Sequence, residues 1–374
     1  MKIIFQSLDH TVTPKNPFTI PDFVNHMDEF IKVATDIKEK VKELLGNYTN
    51  LGIVGIGGSQ VQPYILTPHS TKAITHLEVP DPYVLKDFIK NDPSNTRVLY
   101  LSRSGTTKEV LSFVPFLSHF KSLVVTNGGN LKKISEELNI PVIPVSFDVS
   151  GRYSIQNELG IIPMIAMGID PVEFLTSLKQ GYKKFFESNS LAEQVAFLIY
   201  ELESKKISKM RILTSGSYPE GLGILFTQLI NESVPKHKDD VIDASLHIMP
   251  RSAHSDVQRW YGGKPDSFVF SIRCEQYSSD SFPENLTSIK ALVPSLTLPA
   301  GNHLNITSKA VEDTFPGKVI KVILENDSIS ELANCVSFLH AVTVKLCQIK
   351  GSDPFNQPAV QQYKDRASEI YKAI

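Results

Sequence analysis

Short apolar runs, hydrophobic on both faces and set apart by stretches of helical periodicity, constrain this chain most. The clearest is L-G-I-V-G-I (Leu51–Ile56). A strand in a sheet open to water on one side alternates apolar with polar residues. A run that is apolar throughout needs cover on both faces, as in a parallel strand lying between helical layers. Further runs lie at Ala73–Val79, Val98–Leu101, Ser122–Thr126 and Val142–Val145. Helical patterns at Tyr83–Lys90, Lys108–His119 and Leu131–Leu138 separate them. Ahead of all these, apolar residues at helical spacing fill Phe23 to Leu45, and Gly46 stops the pattern. This order predicts βαβ units and a mostly parallel sheet.

A helical stretch follows, over Ile155–Met167, Pro171–Phe186 and Leu191–Ser204. A second strand–helix series starts at M-R-I-L-T-S-G-S (Met210–Ser217) and continues with Val241–His247, Ser267–Ile272 and Val319–Leu324. Ser328 and Glu331 read as a capping box opening the helix Leu332–Ile349, which Gly351 ends. Pro354 and Pro358 then punctuate the entry to a last helix. The halves echo each other, L-Y-L-S-R-S-G-T-T in one and R-I-L-T-S-G-S in the other. With 374 residues, and roughly 100–200 per domain, the reading is two related α/β units joined by helices near residues 155–205.

Charge and cysteine content narrow the function. Lys plus Arg is 38 and Asp plus Glu is 40, a net charge of −2. So balanced a chain has no overall field to hold a nucleic acid or an anionic membrane. Cys274, Cys335 and Cys347 lie in apolar runs without C-x-x-C spacing, so neither a disulfide framework nor a structural zinc site follows. The start, M-K-I-I-F-Q-S-L-D-H, has too short an apolar run for a signal peptide. The stretch Leu159–Ile169 is far below the ~20 residues that span a bilayer. The expectation is a soluble, cytoplasmic protein.

Ligands of open α/β sheets bind beyond the carboxyl ends of the strands, and two segments offer polar turns there. In G-I-G-G-S (Gly55–Ser59), Gly57 and Gly58 admit close backbone approach, and Ser59 adds a hydroxyl near a helix start. In S-R-S-G-T-T-K-E (Ser102–Glu109), Ser102, Ser104, Thr106 and Thr107 place four hydroxyls around Gly105. A helix beginning near Thr106 would add free N–H groups, which suits a phosphate. No G-x-G-x-x-G or G-x-x-x-x-G-K-[ST] accompanies them; phosphate chemistry without a nucleotide fingerprint implies a small phosphate ester. F-D-V-S-G-R-Y-S (Phe147–Ser154) sets Arg152 after a glycine at a strand end, placed to clamp an anion or a developing oxyanion. In F-T-Q-L-I-N-E-S (Phe226–Ser233), Gln228 and Glu232 are four apart and share a helix face. Glu232 lies at the end of that helix least favourable to an anion. A-H-S-D-V-Q-R-W-Y (Ala253–Tyr261) holds His254 at a helix start, and Gln357 and Lys364 are seven apart, about two helical turns.

Taken in order, these segments resemble the glucose-6-phosphate isomerase family, built from two sugar-isomerase domains. G-I-G-G-S matches its opening signature, L-S-R-S-G-T-T-K-E its phosphate loop S-K-T-x-T-T-x-E, and D-V-S-G-R-Y-S its D-x-V-G-G-R-[YF]-S. L-I-N-E-S, H-S-D-V-Q and Q-P-A-V-Q-Q-Y-K are similar to its glutamate, histidine and lysine segments. Six ordered matches between residues 55 and 364 are far more specific than any one. There are departures: Arg103 replaces a lysine, Ser150 a glycine, and Ser-Val-Pro-Lys follows Glu232 in place of an asparagine-glycine-lysine type of sequence, with Glu220 as the alternative carboxylate.

The resemblance implies two doubly wound αβα sandwich domains with mainly parallel sheets and C-terminal helices, residues 1–175 and 176–374. It implies aldose–ketose isomerisation of glucose 6-phosphate and fructose 6-phosphate without a metal or other cofactor. Glu232 would shuttle the proton, Arg152 would stabilise the enediolate, and His254 and Lys364 would open the sugar ring. Gly58, Ser59, Ser102, Arg103, Ser104 and Thr107 would hold the phosphate, with Gln228 and Gln357 on the sugar. It also implies a homodimer in which His254 serves the neighbouring chain's site; Trp260 and Tyr261 beside it are of the aromatic type enriched at interfaces. Two alternatives stand beside this reading: a dual-specificity phosphoglucose/phosphomannose isomerase, against which Gln357 argues, and a non-catalytic sugar-phosphate-binding protein.

Overall fold

The computed structural model describes residues 1–5, 18–278, 281, 293 and 298–373. The expected α/β architecture is present as two five-stranded sheets. After an N-terminal strand β1 (Lys2–Phe5), the first sheet contains β2 (Asn50–Val54), β3 (Ala73–Leu77), β4 (Thr96–Leu101), β5 (Lys121–Val125) and β6 (Val142–Ile143). Its order is β3-β2-β4-β5-β6, parallel throughout. The second contains β7 (Lys209–Ser215), β8 (Asp243–Met249), β9 (Ser267–Gln276) and β10 (Val319–Asn326), in the order β1-β10-β9-β7-β8. These four are parallel to one another, and β1 adds antiparallel to β10 with Lys2 opposite Ile323.

Read from the other edge, the second sheet runs β8-β7-β9-β10, the same winding as β3-β2-β4-β5. The two units are therefore topological equivalents, with β6 and β1 in the fifth places. The turn after β7 corresponds to the one after β2, not to the one after β4. The sequence echo between Ser102–Thr107 and Thr214–Ser217 thus pairs non-equivalent turns. Both turns carry serine and glycine because both pass from a strand end into a helix. In the first sheet the winding direction reverses between β2 and β4, which opens a crevice beyond their carboxyl ends.

One hydrophobic core runs through both units, joining Leu51, Ile53 and Leu99 of the first sheet to Met210, Ile212 and Phe270 of the second. Helices fill the space between. Ile329–Lys350 packs against Pro171–Phe186, Leu191–Ser204 and Ser217–Ser233, and Met27–Leu45 packs against Glu158–Met167 and Pro171–Phe186. By length and hydropathy Ile329–Lys350 would cross a membrane, but 83% of its apolar window is buried inside the protein. Half of the expected capping box forms: Ser328 Oγ accepts from Glu331 N, but Ser328 N donates to Asn326 Oδ1, because the Glu331 carboxylate is taken up by the Met1 amino group and Glu325 N. Gly351 closes the helix in the left-handed region at φ 72°.

The expected helix Lys108–His119 is two short pieces, Lys108–Leu111 and Val114–Leu117. Pro115 lacks the N–H that a continuous helix would use there. Gly151–Gln156 forms a 3-10 turn, so that α-helix begins at Glu158, capped by Asn157.

Within the core, Lys345 is fully buried, its Nζ 2.8 Å from Glu193 Oε2 and 3.0 Å from the Glu187 carbonyl. Removing one member of such a pair strands the other's charge. Lys345→Met is expected to lower stability by about 3–5 kcal/mol, read as a fall in the urea midpoint; an unchanged midpoint would contradict the pairing.

Candidate active site

The crevice is assembled from five chain segments. After β2 the chain turns at Gly57, which has φ 58°, into the helix Gly58–Leu66. A Cβ on Gly58 would lie 2.4 Å from the carbonyl carbon of Gly151 and 2.5 Å from Arg152 N, so two backbones touch there. Gln62 Nε2 donates to the Gly151 carbonyl at 2.9 Å and secures the contact. After β4, Gly105 takes φ 64° beneath the Gly128 carbonyl, where a Cβ would sit 1.8 Å from oxygen. That turn projects Ser104 and Thr106, whose hydroxyls lie 3.0 Å apart.

Arg152 joins the segments. It is 1% exposed, yet every guanidinium nitrogen is used. Nε donates to Ser233 Oγ at 2.8 Å. Nη1 donates to Ser150 Oγ, Glu232 Oε2 and Gln357 Oε1 at 3.2, 3.1 and 2.9 Å. Nη2 donates to the carbonyls of Pro354 and Asn356 at 2.7 and 3.1 Å. The first unit thereby grips both the end of the helix Ser217–Ser233 and the segment after Ile329–Lys350. Gln228 Nε2 donates to Glu232 Oε1 at 2.9 Å. Both carboxylate oxygens are thus oriented while the side chain stays 33% exposed. Near the same helix end, Lys236 is held below the usual lysine pKa, chiefly by burial and then by the charge of Arg152.

These segments enclose a cavity of about 430 Å³, within the range of small-molecule sites. Of the residues expected at the site, Gly58, Ser104, Thr107, Arg152, Gln228, Glu232, Gln357 and Lys364 line it together. Ser59, Ser102, Arg103 and His254 are not on this wall. Ser102 is buried and donates to Thr107 Oγ1 at 3.2 Å. The Arg103 side chain reaches Asp148 and the Val149 carbonyl instead. His254 is exposed on the short helix Arg251–Ser255, beyond the carboxyl end of the edge strand β8. Trp260 is 4% exposed and packs with Leu213, Met249 and Phe315, so its aromatic character serves the core. Glu220 is also absent from the cavity wall, about 18 Å from Glu232 along the helix at 1.5 Å per residue.

Gln357 and Lys364 both reach the cavity, but not by sharing a helix face. The last helix starts at Gln361, and Gln357 precedes the 3-10 turn Pro358–Val360 with non-helical backbone angles, φ −152° and ψ 71°. The sequence reading missed Thr106, Lys108, Ser150 and Tyr371 as wall residues. Thr106 and Lys108 lay within the motif already singled out, whereas nothing local marks Tyr371. Among the described residues, no cluster of three or more His, Cys, Asp or Glu side chains is placed to hold a metal ion.

No family model matches the chain. The glucose-6-phosphate isomerase of Methanocaldococcus jannaschii is 26% identical over 351 residues, covering 87% of this chain and 85% of the relative. That of Mycoplasma capricolum is 24% identical over 387 residues, covering 89% and 83%. This chain is a homologue of proteins curated as glucose-6-phosphate isomerases. Solved structures agree on the fold. A hypothetical protein of Thermus thermophilus superposes with a TM-score of 0.82 at 19% identity, covering 94% of this chain and 91% of that one. A glucose-6-phosphate isomerase from Chlamydia trachomatis gives 0.74 at 16% identity, covering 93% and 74%.

The homologous segments carry tight backbone contacts, which substitution can test. Gly58→Ala and Gly105→Ala are each expected to destabilise by more than about 1 kcal/mol, because the added methyl meets backbone. Gly128→Ala, whose Cβ would meet nothing within 4 Å, should stay within about 0.5 kcal/mol. Urea midpoints give the comparison; equal behaviour of Gly105→Ala and Gly128→Ala would contradict the packing.

Proposed function

We propose that this protein interconverts glucose 6-phosphate and fructose 6-phosphate, moving a proton between C1 and C2 through a cis-enediolate. The observation that carries the reading is the placement of Glu232. Its carboxylate is oriented by Gln228 and Arg152 and lines the same cavity as Ser104, Thr106 and Thr107. A phosphate on those hydroxyls and the backbone near Gly58 leaves the sugar carbons toward the glutamate. A positioned base of this kind contributes roughly 10²–10⁴-fold in rate. Arg152, already desolvated, stabilises the charge that develops on the enediolate oxygen. Lys364 and His254 move protons in ring opening, and Gln357 contacts the sugar. Ser59, Ser102 and Arg103 act through the loops that carry them.

The curated relatives' names support this substrate. In this reading arginine and backbone donors supply the charge stabilisation, no metal is used, and the protein works in the cytoplasm. Gln357 favours the glucose-specific enzyme over the dual-specificity one, because its carbonyl is fixed on the cavity wall by Arg152. The test is a coupled assay of fructose 6-phosphate in the presence of EDTA, with mannose 6-phosphate in parallel. Turnover of the first and not the second is expected. Binding of both without turnover would support a sugar-phosphate sensor instead.

Glu232→Gln is expected to lower kcat by at least about 10²-fold while sparing sugar-phosphate affinity, and Glu220→Gln should stay near the unmodified rate. The opposite ranking in steady-state kinetics would reassign the base.

The reading includes a homodimer in which His254 enters the partner's site, consistent with its exposure and its place off its own chain's cavity wall. Inactive Glu232→Gln and His254→Ala proteins, mixed so that subunits exchange, should then regain activity. One site of the heterodimer carries both lesions and the other carries neither. Heterodimers that form and stay inactive would show that His254 serves its own chain.

A further inference from the structure

We propose that Lys236 is a positioning residue: it fastens the Asp353–Gln357 segment to the end of the helix that carries Glu232 and keeps a second positive charge beside Arg152. The inference rests on the reading of Glu232 as the proton-transfer base. Lys236 Nζ donates to the Glu232 carbonyl at 2.7 Å and to the Asn356 carbonyl at 2.6 Å. Arg152 Nη2 donates to that same Asn356 carbonyl at 3.1 Å. Two cations, one from each unit, therefore converge on one backbone oxygen.

The local chain explains how this is built. The last carbonyls of an α-helix have no intrahelical partner, and a lysine just past the end can satisfy one of them. Ser217–Ser233 ends one residue after Glu232, and Asp240 Oδ2 accepts from Lys236 N at 2.7 Å, fixing the turn from which Lys236 reaches back. Across the gap, Asp353 pre-forms the opposing turn, accepting from Phe355 N and Asn356 Nδ2 at 2.8 Å each. Arg152 and Lys236 dock that turn against the helix end, and Gln357, the residue after Asn356, comes to the cavity with it.

The charged and titratable groups facing Lys236 are Arg152, Glu232, Asp353 and the buried thiol of Cys347, with Asp240 beside its backbone and paired to Lys350. Burial and Arg152 disfavour the ammonium, while Asp353 and Glu232 favour it. Holding two cations so close is unfavourable by itself. The neighbouring carboxylates of Asp353 and Glu232 offset it.

The test is Lys236→Met, Lys236→Gln and Lys236→Arg in the full-length protein, with kcat and KM of fructose 6-phosphate turnover. Lys236→Met should lower kcat roughly 10- to 100-fold through misplacement of Glu232 and Gln357. KM should change less than kcat, since the phosphate is held elsewhere. Lys236→Gln keeps a donor without the charge, so it should show a smaller fall in kcat; it also answers the question should the methionine variant not fold. Lys236→Arg should restore kcat. If Lys236→Gln keeps the unmodified kcat, the inference is overturned and the isomerase reading stands. No turnover by the unmodified protein would overturn both.

Discussion

The Arg152 guanidinium is the interaction on which the rest of the site depends. It belongs to the first α/β unit by sequence, but four of its six hydrogen bonds go to Ser233, Gln357 and the carbonyls of Pro354 and Asn356. A fifth reaches Glu232. Burying a guanidinium is unfavourable unless its donors are matched in direction as well as number. The chain supplies that match from a helix end and from a turn more than 200 residues away. Once the arginine is saturated, the relative placement of both units at the crevice is set. Glu232 is then held by two donors while remaining open to the cavity.

The fold prepares this meeting point twice over. The winding β3-β2-β4-β5 is repeated as β8-β7-β9-β10, and the reversal in the first repeat opens the crevice where the turns after β2 and β4 lie. The second repeat uses its first strand, β7, for another purpose: the helix that follows it carries Gln228 and Glu232 at its far end. One unit thus supplies hydroxyl-bearing turns and the other a carboxylate. Equivalent strands have taken up different tasks, and so the two repeats share a winding but not a motif.

Much of this was legible in the sequence, for identifiable reasons. Runs apolar on both faces marked β2, β4 and β5, because only strands covered on both sides need them. The turns after β2 and β4 were legible because their glycines are obligatory: Gly58 touches the Gly151 backbone and Gly105 lies under a carbonyl. Less was legible where structure depends on distant partners. β1 is four residues long and pairs with a strand more than 300 residues later. Pro115 breaks a helix that periodicity alone continues. Gln357 reaches the site through a docked turn rather than a helix face. Lys236 lies in a segment that departs from the resembled motif, and it hydrogen-bonds a carbonyl 120 residues away.

The central claim is that an arginine-oriented carboxylate moves a proton, not a hydride, between adjacent carbons. The most direct measurement is isomerisation in deuterium oxide, with the label at C1 of fructose 6-phosphate and C2 of glucose 6-phosphate read by nuclear magnetic resonance. A proton carried by Glu232 exchanges with solvent for part of the intermediate's lifetime, so the account expects deuterium at both positions in step with turnover. Turnover that leaves both carbons free of solvent deuterium would mean a direct hydride shift, and would contradict the account.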